Sequence, residues 1–155
     1  MAVDFGPVLK QLAARGLTLA VAESLTGGLI SKSVTDVPGA SAVFRGGVVS
    51  YQTPVKARLL GVDQEVLDSL GPVSRPVARA MAEGVRSLLD ADLALAVTGV
   101  AGPDPDEFGA PVGLVYVALA GDGWSLCREL HLAGTRSIIR ELTCEAARDL
   151  LAEQL

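Results

Sequence analysis

The stretch LTLAVAESLTGGLISKSV, residues 17–34, decides the fold of the first part of this chain. An apolar run is followed by a short polar turn and then by an amphipathic stretch, which predicts a strand, a sharp turn and a helix. Ser24 then follows the strand, and residues 26–28 open the helix, where free N–H groups can hold an oxyanion or a phosphate. A serine in this place is more often a helix cap than a nucleophile, so the spacing alone leaves both roles open.

The same alternation of helices and strands continues along the rest of the chain. Helices are expected over 7–15, 28–34, 63–70, 75–89 and 136–151, and strands over 18–22, 44–51, 93–97, 113–119 and 124–131. Helices connect the first three strands, which makes these strands parallel neighbours. The segment Gly121-Asp122-Gly123 predicts a hairpin that adds antiparallel strands. We therefore expect one α/β domain over 1–155, a three-layer α/β/α sandwich with a mixed, mainly parallel sheet.

The composition narrows the classes of function. A net charge of −5 and scattered arginines argue against nucleic-acid binding, which usually needs a basic stripe. The single histidine and two cysteines do not supply a four-ligand zinc site at any usual spacing. No apolar run is long enough for a membrane span, and no signal peptide is evident. Cys127 and Cys144 fit a reduced protein, so we expect a cytoplasmic protein without nucleic-acid or membrane partners.

Polar side chains follow the three strands that are expected to be parallel. Ser24 follows the first strand, and Tyr51 ends the second, with Lys56 five residues later. Thr98 follows the third strand. Ligands of open α/β sheets bind beyond the carboxyl ends of such strands. The long loop 99–111 must cover the same edge, and loops of this length are often functional.

Lys56 is the lysine nearest to this edge, since the other two lie on expected helix surfaces. A lysine that is removed from water has a lowered pKa and can accept the proton of a serine hydroxyl. Equally, Lys56 can be a solvated residue of a short helix over 54–58. His131 ends a late strand between two leucines, and we expect it to be structural rather than part of a Ser-His-Asp triad.

Two arginines stand at the start of the last helix. Arg136 lies in its first turn, where a cation opposes the helix dipole and is better placed if it faces an anion. Arg140 lies four residues later on the same face. The alternative is that both are ordinary solvated arginines.

Six ordered motifs carry a resemblance to a known family. They are AESLTGG (22–28), FRGGVVSY (44–51), Lys56 followed by LLGV (59–62), GPVS (71–74), TGVAGP (98–103) and PVGLV (111–115). On these motifs the chain resembles the C-terminal domain family of the competence-damage-inducible CinA proteins, over nearly its whole length. Within that family it is similar to the stand-alone form that acts as a nicotinamide-nucleotide amidase.

The resemblance implies a Ser/Lys amidohydrolase that converts nicotinamide mononucleotide (NMN) to nicotinic acid mononucleotide and ammonia, with no metal or organic cofactor. It implies Ser24 as the nucleophile and Lys56 as the general base, with Tyr51 and Thr98 supporting the pair by hydrogen bonding. Contacts to the substrate or its oxyanion are expected from Thr26, Gly27, Gly28, Gly99, Gly102, Arg136 and Arg140. A homo-oligomer is also implied.

The chain departs from the family pattern at three places. Leu25 stands where Cys is frequent, Thr53-Pro54 replaces Asn-Glu, and Thr135 replaces Asp. None of these removes a proposed catalytic group, although the last two bear on substrate affinity. Two alternatives remain at this point: a nucleotide-binding module without turnover, and a partner protein in competence or the response to DNA damage.

Overall fold

The computed structural model describes residues 2–155. Its elements, in chain order, are α1 (Gly6–Ala14), β1 (Leu19–Glu23), α2 (Leu29–Thr35), a short 3₁₀ helix (Ala40–Ala42), β2 (Phe44–Val49), α3 (Thr53–Leu60), α4 (Gln64–Leu70), α5 (Arg75–Leu88), β3 (Leu93–Gly99), β4 (Leu114–Gly121), β5 (Trp124–His131) and α6 (Arg136–Glu153). Every expected helix and strand is present, with ends that differ by a few residues. None of the helices within 2–155 is both long and apolar enough to cross a membrane.

The five strands form one mixed sheet in the order β2-β1-β3-β4-β5. Strand β1 pairs in parallel with β2 and β3, whereas β4 pairs antiparallel with β3 and β5. The α/β class is therefore confirmed. The expectation of a mainly parallel sheet is corrected, because parallel and antiparallel pairs are equal in number. The reason is that no helix separates β3 from β4, so the chain turns back beside β3 instead of crossing over.

Alternate strand residues point into two separate core clusters. The larger side chains of β1 and β3, such as Leu19, Val21 and Leu95, pack with residues of α1, α2 and α6. The intervening alanines, such as Ala20 and Ala94, pack with residues of α3, α4 and α5. Since successive side chains of a strand point to opposite faces, the helices divide between the two faces of the sheet.

Short polar and glycine signals fix the helix ends that frame the carboxyl edge of the sheet. The Ser74 side chain accepts a hydrogen bond from Val77 N and caps α5, and Thr135 caps α6 in the same way. Helix α3 ends at Gly61, which has a positive φ of 69°. The start of α6, with Arg136, and the first turns of α3, with Thr53 and Lys56, thereby lie at the site near the ends of the parallel strands.

Candidate active site

A cavity of about 500 Å³ opens at the carboxyl ends of β1, β2 and β3. It is lined by Ser24, Leu25, Tyr51, Thr53, Lys56, Pro72, Val73, Thr98, Gly99, Val100, Ala101, Gly102, Asp104, Pro105, Asp106, Glu107, Phe108 and Arg136. Because the three strands run in parallel, their ends bring Ser24, Lys56 and Thr98 to one edge, as expected. Gly99, Gly102 and Arg136 also line the cavity, but Thr26, Gly27, Gly28 and Arg140 do not.

Ser24 lies in the turn after β1 and does not cap helix α2. Gly27 and Gly28 adopt positive φ angles of 59° and 106°, which favour glycine. Gly28, four residues after Ser24, is the N-cap of α2. The serine side chain is therefore not used to start the helix, and its Oγ instead accepts a hydrogen bond from Lys56 Nζ at 2.9 Å.

Lys56 is buried against neutral acceptors. Its side chain is 1% exposed, and Nζ donates to Ser24 Oγ at 2.9 Å, to Ser50 O at 2.7 Å and to Tyr51 O at 3.2 Å. Burial lowers the pKa of this ammonium from 10.5 to about 8. The reading of Lys56 as a solvated helix residue is therefore wrong.

The arrangement suits a general base in both protonation states. A charged lysine has three N–H donors, which match the three acceptors. A neutral lysine has two N–H donors for the carbonyls of Ser50 and Tyr51, and its lone pair is then left for the Ser24 hydroxyl. With a pKa of about 8, Lys56 is neutral in roughly a tenth of the molecules at pH 7.

The geometry separates the hydroxyl of Tyr51 from the serine–lysine pair. Tyr51 OH accepts a hydrogen bond from Arg136 Nη2 at 3.0 Å, and Arg136 Nη1 donates to Gly102 O. Only the Tyr51 carbonyl contacts Lys56. The expected support of the pair by Tyr51 is corrected accordingly: it comes from the backbone, because the ring points to Arg136.

Thr98 is buried at the cavity but likewise makes no hydrogen bond to the pair. Its Oγ1 donates to Pro72 O at 2.7 Å. The side chain therefore fixes the segment that precedes α5 against the end of β3, which corrects the expectation of direct support for Ser24 and Lys56.

The N-terminus of α2 is already occupied by a carboxylate. The fully buried Glu23 accepts hydrogen bonds from Gly28 N at 3.2 Å, Ile30 N at 2.9 Å, Ser31 N at 3.0 Å and Ser31 Oγ at 2.7 Å. Gly27 N donates to Ser24 O at 3.1 Å. The N–H groups of Gly27 and Gly28, which were expected to donate to the substrate, therefore donate to acceptors within the turn in this structure.

Backbone donors also remain in the turn. Within residues 2–155, neither Leu25 N nor Thr26 N donates to a protein acceptor. Leu25 lines the cavity, so its N–H is the donor of this turn that remains for an oxyanion next to Ser24.

Sequence comparison places these residues in a family. The model of the CinA C-terminal domain matches residues 6–155. The chain belongs to the CinA C-terminal domain family. A CinA-like protein of Frankia casuarinae is 53% identical over 150 residues, covering 97% of this chain and 34% of the relative. A putative competence-damage inducible protein of Acetivibrio thermocellus is 52% identical over 142 residues, covering 92% of this chain and 34% of the relative.

Solved structures share the fold of this CinA domain. A CinA superfamily protein from Escherichia coli superposes with a TM-score of 0.95 at 30% identity, covering 97% of this chain and 88% of its own. A competence/damage inducible protein from Agrobacterium tumefaciens superposes with a TM-score of 0.89 at 35% identity, and the match covers 99% of this chain and 98% of that protein's chain. The chain thus spans about a third of the curated relatives, and nearly all of these solved chains.

Arg140 of the CinA domain supports the turn rather than the cavity. Its Nε donates to Leu25 O at 2.9 Å and its Nη2 donates to Thr26 O at 2.8 Å. Arg140 was expected to contact the substrate, but its hydrogen bonds in this structure are to the turn. His131 lies outside the cavity lining and pairs with Glu129 at 2.8 Å on β5, as expected for a structural histidine.

The loop after β3 contributes charges that sequence reasoning missed. Asp104, Asp106 and Glu107 line the cavity, together with Phe108. Asp106 Oδ1 accepts from Phe108 N at 3.0 Å and Ala110 N at 2.7 Å, whereas its buried Oδ2 has no partner in the described residues. The density of acidic residues over 104–107 was the available signal. Within 2–155, no group of three or more His, Cys, Asp and Glu residues is arranged to hold a metal ion.

Proposed function

We propose that this CinA domain is a serine amidohydrolase that converts NMN to nicotinic acid mononucleotide and ammonia. The hydrogen bond of 2.9 Å between the buried Lys56 Nζ and Ser24 Oγ carries the proposal. Contact with a desolvated lysine at a cavity is an arrangement that can activate a serine as a nucleophile, with the lysine as its base. The choice of NMN rests on the family resemblance and on the charges around the cavity.

The acylation step follows from the contacts of Lys56. Neutral Nζ accepts the Ser24 proton as Oγ attacks the carboxamide carbon. The ammonium that forms is held by the carbonyls of Ser50 and Tyr51, which already accept from Nζ at 2.7 and 3.2 Å. The carbonyl oxygen becomes an oxyanion, for which Leu25 N–H is the available donor; one such donor is worth roughly 3–4 kcal/mol in the transition state.

In the remaining steps Lys56 first donates a proton and then acts as a base again. The protonated Lys56 gives its proton to the leaving nitrogen, so that ammonia departs and Ser24 carries the nicotinoyl group as an ester. A water molecule then attacks this ester, with Lys56 taking its proton and returning it to Ser24 Oγ. The products are the free carboxylate and the regenerated serine.

The charges lining the cavity match a substrate that carries both signs. NMN has a cationic pyridinium ring and an anionic phosphate. The cavity offers Asp104, Asp106 and Glu107 to a cation, and Arg136 to an anion. Its volume of about 500 Å³ lies in the usual range of small-molecule sites. These features support NMN over an uncharged amide.

The test is ammonia release from NMN by the purified protein, with Ser24→Ala and Lys56→Met beside it. We expect turnover by the parent and losses of at least about 1,000-fold in both variants. Ser41→Ala and Lys10→Met change exposed residues of the same types and should keep the parent rate. Binding of NMN without ammonia release by the parent would contradict the amidase and favour the nucleotide-binding module.

A further inference from the structure

We propose that Glu23 is a positioning residue of this site, which holds Ser24 against Lys56 through both its side chain and its backbone carbonyl. The inference rests on the proposed function, because it assigns Glu23 a role in the reactivity of the same serine.

The Glu23 carboxylate closes the turn that carries the nucleophile. Glu23 immediately precedes Ser24, and its carboxylate accepts from Gly28 N, Ile30 N and Ser31 N, at 2.9–3.2 Å. Residues 24–27 are therefore the interior of a ring closed by these bonds. Such a closure restricts the conformations open to Ser24.

The backbone carbonyl of Glu23 fixes the partner of the nucleophile. Glu23 O accepts from Ser50 N at 2.8 Å and from Ser50 Oγ at 3.2 Å. Ser50 O in turn accepts from Lys56 Nζ at 2.7 Å. Glu23 thus positions both Ser24, which follows β1, and Ser50, which follows β2 and whose carbonyl holds Lys56.

The surroundings of the carboxylate are shaped to keep it in place. Ser31 Oγ donates to Glu23 Oε2 at 2.7 Å. A Cβ on Gly47 of β2 would lie 2.2 Å from that Oγ, so the glycine makes room for the serine. The carboxylate is fully buried, and the hydrogen bonds that it accepts from residues 28–31 come from N–H and O–H donors rather than from a cation. A buried carboxylate held in this way is costly to disturb.

The decisive variant is Glu23→Gln, which keeps the shape of the side chain. Its amide NH₂ replaces an acceptor oxygen, so a backbone N–H of α2 then faces another donor. We expect the turn to shift and Ser24 to leave its line with Lys56. Misplacement of reacting atoms by about 1 Å costs on the order of 100-fold in rate.

A fluorophosphonate probe measures this effect without reference to NMN. Ser24 Oγ displaces fluoride from phosphorus while its proton passes to Lys56, and mass spectrometry follows the labelled serine. We expect Glu23→Gln to be labelled about 100-fold more slowly than the parent. With NMN, kcat should fall by a similar factor while KM changes less than about twofold, since Glu23 does not line the cavity.

The control is Ser33→Ala, which alters another buried residue of α2. Ser33 Oγ donates to Leu29 O at 2.8 Å and makes no hydrogen bond to the Glu23 carboxylate among the described residues. It should lower stability and leave the labelling rate unchanged. Labelling of a folded Glu23→Gln at the parent rate would overturn the positioning role.

Two further outcomes keep the two proposals separate. If the parent is labelled at Ser24 but does not hydrolyse NMN, the choice of substrate fails, and the labelling rates still decide the role of Glu23. If Glu23→Gln does not fold, Ser31→Ala removes one of the four hydrogen bonds. Slower labelling of a folded Ser31→Ala is then the expected result, and the parent rate would overturn the proposal.

Discussion

Replacing Lys56 by methionine should change how the stability of the domain depends on pH. Burial lowers the pKa of Lys56 from 10.5 to about 8 in the folded state. Between these two values the unfolded chain binds more protons than the folded one, so the contribution of Lys56 to stability rises with pH. Below the folded pKa the whole cost of burying the ammonium is present, about 3 kcal/mol, and above the unfolded pKa it is gone.

The assay is urea unfolding of the parent and of Lys56→Met at pH 7 and pH 9. We expect the free energy of unfolding of the parent to rise by about 1 kcal/mol relative to that of the variant between these pH values. The hydrogen bonds lost with the amino group, to Ser24, Ser50 and Tyr51, lower the stability of the variant at both pH values and cancel in this comparison. Lys10→Met, at an exposed lysine of α1, should follow the parent.

The same titration should appear in the activity. Turnover of NMN should rise between pH 7 and pH 9 as Lys56 loses its proton and becomes a base.

Equal pH dependence of stability in the parent and Lys56→Met would refute the reasoning, since it would mean that the folded protein leaves the pKa of Lys56 at its ordinary value.

Four further variants test residues of the cavity and of the turn that carries Ser24. Arg136→Met should raise the KM for NMN about tenfold in steady-state kinetics, because Arg136 lines the cavity. Arg140→Met should mainly lower kcat, because Arg140 holds the turn that carries Ser24. Equal effects of the two variants on KM would contradict this difference in roles. Tyr51→Phe should keep kcat/KM within about fivefold, because Lys56 contacts the Tyr51 carbonyl and not its hydroxyl; a loss of a hundredfold or more would restore a role for the hydroxyl. Gly28→Ala should lower the urea midpoint, at a cost of about 1–2 kcal/mol, because φ is 106°; an unchanged midpoint would show that the turn relaxes.

The order of elements was accessible from sequence because its signals are local. Apolar runs, helical spacing and glycine at turns predicted each strand and five of the six α-helices, whereas α3 entered only as an alternative for the surroundings of Lys56. The parallel strands brought Ser24, Lys56 and Thr98 to one edge of the sheet. The antiparallel share of the sheet was underestimated, since it depends on what lies between β3 and β4 and not on either strand alone.

The role of Glu23 was missed although a signal for it existed. Along β1 it follows Leu19 and Val21 at a period of two, so its side chain points to the face covered by α2. A carboxylate on a buried face needs donors, and the nearest ones are the N–H groups that open α2. The start of α2 alone predicts that its N–H groups are free for a ligand, and only the strand residue that faces it shows that they are used by Glu23.

Other partners could not be read from residue types. Three side chains of the site region donate to backbone carbonyls. Thr98 donates to the carbonyl of Pro72, and Arg140 donates to those of Leu25 and Thr26. Lys56 donates to those of Ser50 and Tyr51. Every residue has a carbonyl, so only the tertiary structure selects which one is in reach.

The occupied start of α2 changes where the anionic end of a nucleotide substrate can be held. A phosphate at a helix N-terminus uses backbone N–H groups, but here the N–H groups of Gly28, Ile30 and Ser31 already serve the Glu23 carboxylate. A phosphate placed there would also face that carboxylate at close range and be repelled. For the proposed substrate NMN, we therefore expect Arg136 to hold the phosphate, within a chain of net charge −5. Substrate affinity would then depend on Arg136 and on its contact with Gly102 O, and the turn at Ser24 would stay free for the amide.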